Sequence, residues 1–344
     1  MKHFDFELLR ELIDNQYINV QKHPTADLYI YNYTALAQFE RCWNEVTMAC
    51  RGLILDGQGT PVARPFPKFF NLEELTPQQI PKEPFEVFEK LDGSLGILYF
   101  IENQAFIASR GSFTSDQAVR ANQILQKKYA PILPQLNPKY TYLFEIIYPE
   151  NRIVVQYGDQ EDLVLTAIIE TKTGKELPLQ NIGFTTVAKL ESVTQLSDLK
   201  NLALPNKEGF VVRFQNGFRL KVKFEEYVRL HRILTGISSK NIWEYLKTGQ
   251  SIEPLLADVP DEFYDWVHQI IDKLNAHYKQ IEETPKSTFK VLETRKESAF
   301  YFSKFSYYKI LFFMLDGKDY SKIIWRMVEP AFEKPFRISN ESTL

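Results

Sequence analysis

The stretch Phe85-Glu86-Val87-Phe88-Glu89-Lys90-Leu91-Asp92-Gly93-Ser94-Leu95-Gly96-Ile97-Leu98-Tyr99-Phe100-Ile101 decides the fold. Two runs rich in β-branched and aromatic residues, 85–90 and 96–101, flank an Asp-Gly pair, which predicts two strands joined by a turn. On a strand, side chains alternate between faces, so Lys90 and Asp92 project the same way. Gly93 then permits a turn or a close backbone approach. Outward from this stretch the same texture fills about 28–225. Short strand-like runs at 52–56, 142–148, 163–169, 209–214 and 218–224 are separated by Gly, Pro and Asn turns. Helical periodicity predicts helices at 4–14, at 115–129 with Ser115 as its cap, and more weakly at 186–200. After about residue 225 the period changes. Phe263, Trp266, Val267, Ile270, Ile271, Leu274, Tyr278 and Ile281 step by three and four, an amphipathic helix with Pro260 near its first turn. Further helical patterns occupy 287–303 and 318–329. The expected fold class is α+β, with an α+β domain at 1–235 followed by a small all-α domain at 236–344.

Composition narrows the function. The 344 residues are 44% hydrophobic and 14% aromatic, enough for a sizeable core and against wholesale disorder. Lys and Arg number 41 against 44 Asp and Glu, a formal charge of −3, which excludes a strongly basic coating protein. The two cysteines, Cys42 and Cys50, have no CxxC spacing, so neither a zinc site nor a disulfide framework is expected. The apolar run 310–315 is far shorter than a membrane span. The opening MKHFDFELLRELID carries acids among its apolar residues, unlike a signal peptide. The expectation is a cytoplasmic protein with no membrane association. GxxxxGK[ST] is absent, which speaks against a P-loop ATPase.

The Lys-x-Asp-Gly motif alone is weak, with roughly 0.1 matches expected by chance in a chain of this length. Its company makes it informative. Upstream lie Cys50-Arg51-Gly52-Leu53-Ile54 and Arg64-Pro65-Phe66-Pro67-Lys68-Phe69-Phe70-Asn71. Downstream lie Ser109-Arg110-Gly111-Ser112, Phe144-Glu145-Ile146, Asn151-Arg152-Ile153-Val154, Glu208-Gly209-Phe210-Val211-Val212 and Leu220-Lys221-Val222-Lys223. Lys221 and Lys223 are two apart on a strand, so their ammonium groups face one way. Arg51, Lys68 and Arg110 add cations, and Asp92, Glu145 and Glu208 offer hard oxygen ligands suited to Mg²⁺. A lysine becomes a nucleophile when deprotonated. Cations for phosphate, carboxylates for a metal and one reactive lysine suit nucleotidyl transfer.

This ordered set resembles the covalent nucleotidyltransferase superfamily of ligases and capping enzymes, and most closely the RNA ligase 1 family of the T-even phages. The segments CRGLIL, RPFPKFFNL, EKLDGSLG, SRGS…SDQAVRAN, FEIIYPENRIV, EGFVV and LKVKFEEYVRLH carry the resemblance over about 50–231. It implies a nucleotidyltransferase domain of antiparallel sheets with flanking helices. It also implies an ATP-dependent RNA ligase that joins 5′-phosphate and 3′-hydroxyl ends through a lysyl-AMP enzyme and an AMP-RNA intermediate. In that reading Lys90 is the nucleophile, and Lys90, Glu208, Lys221 and Lys223 are catalytic. Arg51, Lys68, Lys90, Asp92, Gly93, Arg110, Glu145, Lys221 and Lys223 hold ATP. Asp92, Glu145 and Glu208 bind Mg²⁺ or Mn²⁺ largely through water. Arg110 stands where the phage enzyme has lysine, which keeps the charge and changes the donor geometry. The resemblance further implies RNA repair, possibly of tRNA, with an end-healing kinase-phosphatase as a possible partner.

Several residues near these motifs have plainer readings. Tyr157 and Tyr227 are expected to pack in the core, Cys50 to be a small buried residue, and His231 to be structural. Arg64 and Arg152 receive no firm role. In the C-terminal part, 253–283 holds eight acids against two bases, and 286–337 holds eleven bases against six acids. Phe300, Tyr301, Phe302, Phe305, Tyr307, Tyr308, Tyr320 and Trp325 interleave the basic part. Their helical spacing favours a core with solvated lysines, and the charge leaves room for RNA docking. The alternatives to an RNA ligase are a DNA or other polynucleotide ligase of the same superfamily, and an RNA-binding relative without catalysis. No OB-like tail of short strands follows the last motif, which counts against the DNA ligase.

Overall fold

A computed structural model describes residues 4–335, apart from 192, 203 and 258. Arg337, the end of the basic stretch, and Asp258 of the acidic one lie outside the described residues. The chain forms two compact units, one running to Arg229 and one beginning at Leu230.

The first unit is built on three sheets. One has the order β1 (Ile18–Lys22), β2 (Leu28–Tyr33), β3 (Arg51–Asp56), β4 (Pro61–Ala63), all antiparallel. A second joins β5 (Phe70–Asn71), β6 (Phe85–Lys90), β12 (Lys189–Leu190), β13 (Gly209–Phe214) and β14 (Arg219–Lys223) in the order β12-β6-β13-β14-β5. Its ladders are antiparallel except for β14 with β5. The third joins β7 (Ser94–Ile101), β8 (Gln104–Ala108), β9 (Tyr140–Ile147), β10 (Asp162–Glu170) and β11 (Glu176–Leu177) in the order β11-β10-β9-β7-β8, all antiparallel.

Alternation explains why the third sheet is buried on both faces. Leu98, Phe144, Leu163 and Leu165 pack with Ala121, Ile124 and Leu125 of a helix, while Ile97, Leu143, Ala167 and Ile169 pack with Ile30, Ile54 and Ala63 of the first sheet. The odd and even residues of β7 therefore serve opposite layers. Burying a large apolar side chain stabilises by about 1.5–3 kcal/mol, so this doubly covered sheet is the rigid frame of the unit.

The helices of this unit are α1 (Phe6–Asp14), α2 (Ala35–Phe39), α3 (Glu45–Ala49), α4 (Asp116–Lys128) and α5 (Leu196–Asn201), with α6 (Glu225–Gly236) following β14. Ser115 caps α4 as expected, its hydroxyl accepting from Ala118 N at 3.2 Å. The helix expected at 186–200 is replaced by β12 and the short α5. The edge of β6 captures the first part, with Lys189 opposite Phe88 and Glu89 N donating to Ala188 O at 2.9 Å. Ladder pairing outweighs a weak local helical pattern there.

The second unit is helical, with α7 (Ser239–Thr248), α8 (Asp261–Thr288), α9 (Arg295–Phe302), α10 (Tyr308–Leu315) and α11 (Ser321–Met327). Phe263, Val267, Ile270 and Leu274 of α8 are buried, which is the stripe read from the sequence. Trp243 Nε1 donates to Trp325 O at 2.7 Å, and Trp325 lies 4.8 Å from the Tyr278 ring. Within the pattern at 287–303, residues 287–288 end α8 and helix resumes at Arg295, where Thr294 caps the first turn and accepts from Glu297 N. α10, an apolar octad without clear period, was not expected as a helix. Among the described residues, no helix is long and apolar enough to cross a membrane.

Candidate active site

Strand register creates the site. Lys90 pairs with Gly209, and Gly209 pairs with Lys223, so the three form one row across β6, β13 and β14. The middle position must be glycine. Its φ is +146°, and a Cβ would meet Val222 O at 2.0 Å. With no side chain between them, both lysines reach the carboxylate of the preceding residue. Lys90 Nζ lies 2.7 Å from Glu208 Oε2, and Lys223 Nζ lies 2.9 Å from Glu208 Oε1. Burial pushes Glu208 up, but the two ammonium groups outweigh it and hold the carboxyl below its ordinary range. Burial likewise pushes Lys90 down. The carboxylates of Glu208, Glu145 and Asp92 outweigh it, so Lys90 sits above its ordinary value. In this state Lys90 is held as an ammonium.

The Asp-Gly turn after Lys90 is tightly held. Asp92 Oδ2 accepts from Val154 N and Val155 N, both at 2.8 Å, and Oδ1 accepts from Tyr227 OH at 2.8 Å. Asp92 N donates to Tyr157 OH at 2.8 Å. Burial and the nearby Glu208 nevertheless raise Asp92. Gly93 N donates to Glu145 Oε1 at 3.0 Å, and a Cβ on Gly93 would meet Ile146 O at 2.6 Å. Ser94 Oγ donates to Asn151 Oδ1 at 3.1 Å. Tyr227 is thus buried and Tyr157 half-buried against the core, and their hydroxyls also fix the motif. The sequence signal was the usual need of a buried tyrosine for a polar partner.

Loss of the Tyr227 hydroxyl tests that role. Tyr227→Phe removes one donor to a buried carboxylate, a contact worth about 1.5–3 kcal/mol. Asp92 should then rise further, and nucleotide-dependent labelling of Lys90 should fall roughly tenfold, with its pH profile displaced to higher pH. A profile superimposable on that of the wild type would exclude the role.

The third acid, Glu145, comes from β9. Burial raises it to about 7, with Glu208 and Asp92 adding to the rise and Lys90 opposing it. Among the described residues, no group of three His, Cys, Asp or Glu is placed to chelate a metal directly. The geometry agrees, because the oxygens of Asp92 and Glu208 are already committed to donors. Glu145 Oε2 carries no hydrogen bond among the described residues. A cation at these acids would be held through water rather than by direct chelation.

A cation cluster adjoins the row. Lys221 is half-buried, its Nζ lies 4.8 Å from the Phe69 ring centroid, and among the described residues no carboxylate pairs with it. Burial, together with Arg51, Lys90, Lys68 and Lys223, pushes Lys221 well below its ordinary value. Burial also lowers Arg51, whose Nη1 has no acceptor among the described residues. Lys68 is lowered by burial and by Arg51 and Arg110, and its Nζ lies 4.9 Å from the Trp43 ring. Tyr33, which no motif marked, stands beside Arg51, and its ring centroid lies 5.4 Å from the Arg110 guanidinium and 5.7 Å from Lys68 Nζ. A group of cations this dense suits a polyanion. The fold thus brings together Arg51, Lys68, Lys90, Asp92, Gly93, Arg110, Glu145, Glu208, Lys221 and Lys223. Arg64 is not in the cluster. It lines a cavity of about 1130 Å³ that shares only Lys68 with these residues.

A family model described as RNA ligase, of the T4 RNA ligase 1 type, matches residues 49–228. The chain is 29% identical over 259 positions to a protein named as a bifunctional polynucleotide kinase/RNA ligase of Autographa californica nuclear polyhedrosis virus. That match covers 65% of this chain and 36% of the viral protein, so the chain spans about a third of that relative. It is 25% identical over 382 aligned positions to an RNA ligase of Rhodothermus phage RM378, covering 85% of this chain and 86% of the phage protein. A solved structure named as an ATP-dependent DNA ligase from Aquifex aeolicus superposes with a TM-score of 0.51 at 17% identity. It covers 82% of this chain and 81% of that one, a likeness of fold alone.

Proposed function

The chain belongs to the RNA ligase family, and from that premise we propose that it is an ATP-dependent RNA ligase acting through lysyl-AMP on Lys90. The observation that carries the reading is the row Lys90–Gly209–Lys223 around Glu208, set beside Lys221, with which no carboxylate pairs among the described residues. Neutral Lys90 Nζ attacks the α-phosphorus of ATP, the bond to the β-phosphate oxygen breaks, pyrophosphate leaves and the new P–N bond sheds the Nζ proton. An RNA 5′-phosphate oxygen then attacks that phosphorus, and Lys90 leaves and regains a proton. Finally an RNA 3′-hydroxyl attacks the 5′-phosphate, losing its proton, and AMP departs.

Each side chain has a part. Lys221, Arg51, Lys68 and Arg110 bind the phosphates and offset charge on the leaving pyrophosphate. Glu208 orients Lys90 and favours its ammonium form until the nucleotide binds. Asp92, held by two amides and Tyr227, fixes the turn that presents Lys90. Mg²⁺ or Mn²⁺ held through water by Asp92, Glu145 and Glu208 would supply further charge neutralisation at the transferring phosphate. The same charge would oppose protonation of Lys90. The proposed setting is cytoplasmic repair of RNA, including tRNA, with a kinase-phosphatase preparing ends. The viral relative's name pairs those two activities in one protein.

Incubation with α-labelled ATP and Mg²⁺ tests the reading. The protein should carry label through a denaturing gel and release it as AMP when 5′-phosphorylated RNA is added. Wild-type protein that never labels would sink the proposal.

The helical unit is proposed to help dock RNA. Of the aromatics in its basic stretch, Phe302 and Trp325 are buried, while Tyr301, Phe305, Tyr307 and Tyr320 are half-buried. Phe300 is 70% exposed, and Lys304 Nζ lies 5.0 Å from its ring. Reversing charge at Lys304, Lys309 and Lys318 should weaken RNA binding and flatten the log–log salt slope by about 2, at about 0.7 per phosphate contact on single strands. Unchanged affinity across salt concentrations would remove this role.

A further inference from the structure

The cavity of about 1130 Å³ lies at the opposite end of the β6-β13-β14 ladder from Lys90. There Glu86 pairs with Arg213, and Arg213 with Arg219, in a second cross-strand row. The two rows are four residues apart, so they share one sheet face and are separated by roughly 13 Å at 3.3 Å per residue. Seven phenylalanines line the cavity, among them Phe66, Phe69, Phe70, Phe85, Phe214 and Phe218. Its basic residues outnumber its acidic ones five to three.

Its guanidinium groups differ in occupation. Arg213 donates to Glu86 and Glu176, and Arg219 donates to Glu176. Arg64 has no such partner. Its Nε and Nη2 are buried and have no acceptor among the described residues. Gly174 packs against it, since a Cβ there would lie 3.0 Å from Nη1. A buried donor left unpaired is costly, and a ligand anion would satisfy it. Aromatic walls with unfilled guanidinium donors match a flat base joined to a phosphate. The volume exceeds the roughly 300–1,000 Å³ of ordinary small-ligand sites, so it admits a nucleotide with part of its neighbour. Lys68 belongs both to the cavity wall and to the cation cluster, which gives a backbone a continuous basic path between them.

We propose that this cavity holds an unpaired nucleotide of an RNA strand whose reacting end lies at Lys90, its base among the phenylalanines and its phosphate on Arg64. The assignment rests on the RNA ligase reading and adds to it a substrate-strand site away from ATP. Arg64→Gln and Phe218→Ala test it. Binding of a 5′-phosphorylated single-stranded hexaribonucleotide, followed by fluorescence anisotropy without ATP, should weaken about tenfold in each. Labelling of the same variants with α-labelled ATP should stay within twofold of wild type, which also shows that they fold. RNA affinity equal to wild type in both variants overturns the proposal. So does joint loss of RNA binding and labelling, which would place the residues in the ATP site or the core. If the variants lose RNA affinity but wild-type protein never labels, the ligase reading fails and the RNA pocket stands.

Discussion

Lys90→Met should lose covalent labelling by ATP altogether, a fall of at least about 10³-fold, while keeping measurable sealing of RNA that already carries a 5′-linked AMP. The two halves follow from one geometry. Only the first step needs Nζ as a nucleophile, and no neighbour can substitute. Lys223 is engaged by Glu208, and Lys221 sits among cations over Phe69. Sealing instead uses the RNA hydroxyl as nucleophile and asks the site for phosphate binding, which Arg51, Lys68, Arg110, Lys221 and Lys223 retain. Sealing should still drop, since methionine leaves Glu208 with one ammonium partner. Retained labelling in Lys90→Met would move the nucleophile elsewhere. Complete loss of sealing with intact folding would mean that Lys90 also acts on RNA.

The pH dependence has a definite sign. Carboxylates raise Lys90, so the neutral amine grows as pH rises, and wild-type labelling should increase from neutral into alkaline pH. Glu145, raised to about 7, adds a second rising limb as its carboxylate forms. For stability the Lys90 contribution runs the other way. It is present in full below the lysine's unfolded pKa and is lost as pH climbs through the raised folded value.

The chemistry was more legible in the sequence than the packing around it. Alternation alone put Lys90 with Asp92 and Lys221 with Lys223, and the strands at 85–90 and 209–214 have the expected bounds. What joins them is register, and register depends on Gly209 meeting both Lys90 and Lys223, a long-range fact that no local pattern encodes. Tyr33 and Tyr227 were unreadable for a related reason. Each is an ordinary buried tyrosine by composition, and only the fold shows which way its hydroxyl points. At 186–200 the error was the reverse, since a helical pattern yielded to an open sheet edge.

Lys221 combines function with a cost to the fold, and its removal should separate them. The side chain is half-buried, lacks a carboxylate partner among the described residues, and is crowded by Arg51, Lys90, Lys68 and Lys223. Its folded pKa lies well below the unfolded value, so protonation favours the unfolded chain. The penalty is present in full below the depressed folded pKa, and it shrinks as pH rises from there towards the unfolded pKa. Lys221→Met keeps the stem and its contact with Phe69 while deleting the charge. At neutral pH the variant should therefore be more stable, by about 1–2 kcal/mol or a Tm roughly 2–6 °C higher, with the gain fading towards pH 10. Labelling by ATP should fall at least about 10²-fold, because one cation facing the transferring phosphate is gone. Stabilisation by added ATP should also be smaller than in wild type, since the nucleotide no longer relieves that repulsion. A variant that is less stable at neutral pH and still labels would show that Lys221 is paired and structural, and that the cation cluster is no phosphate receptor.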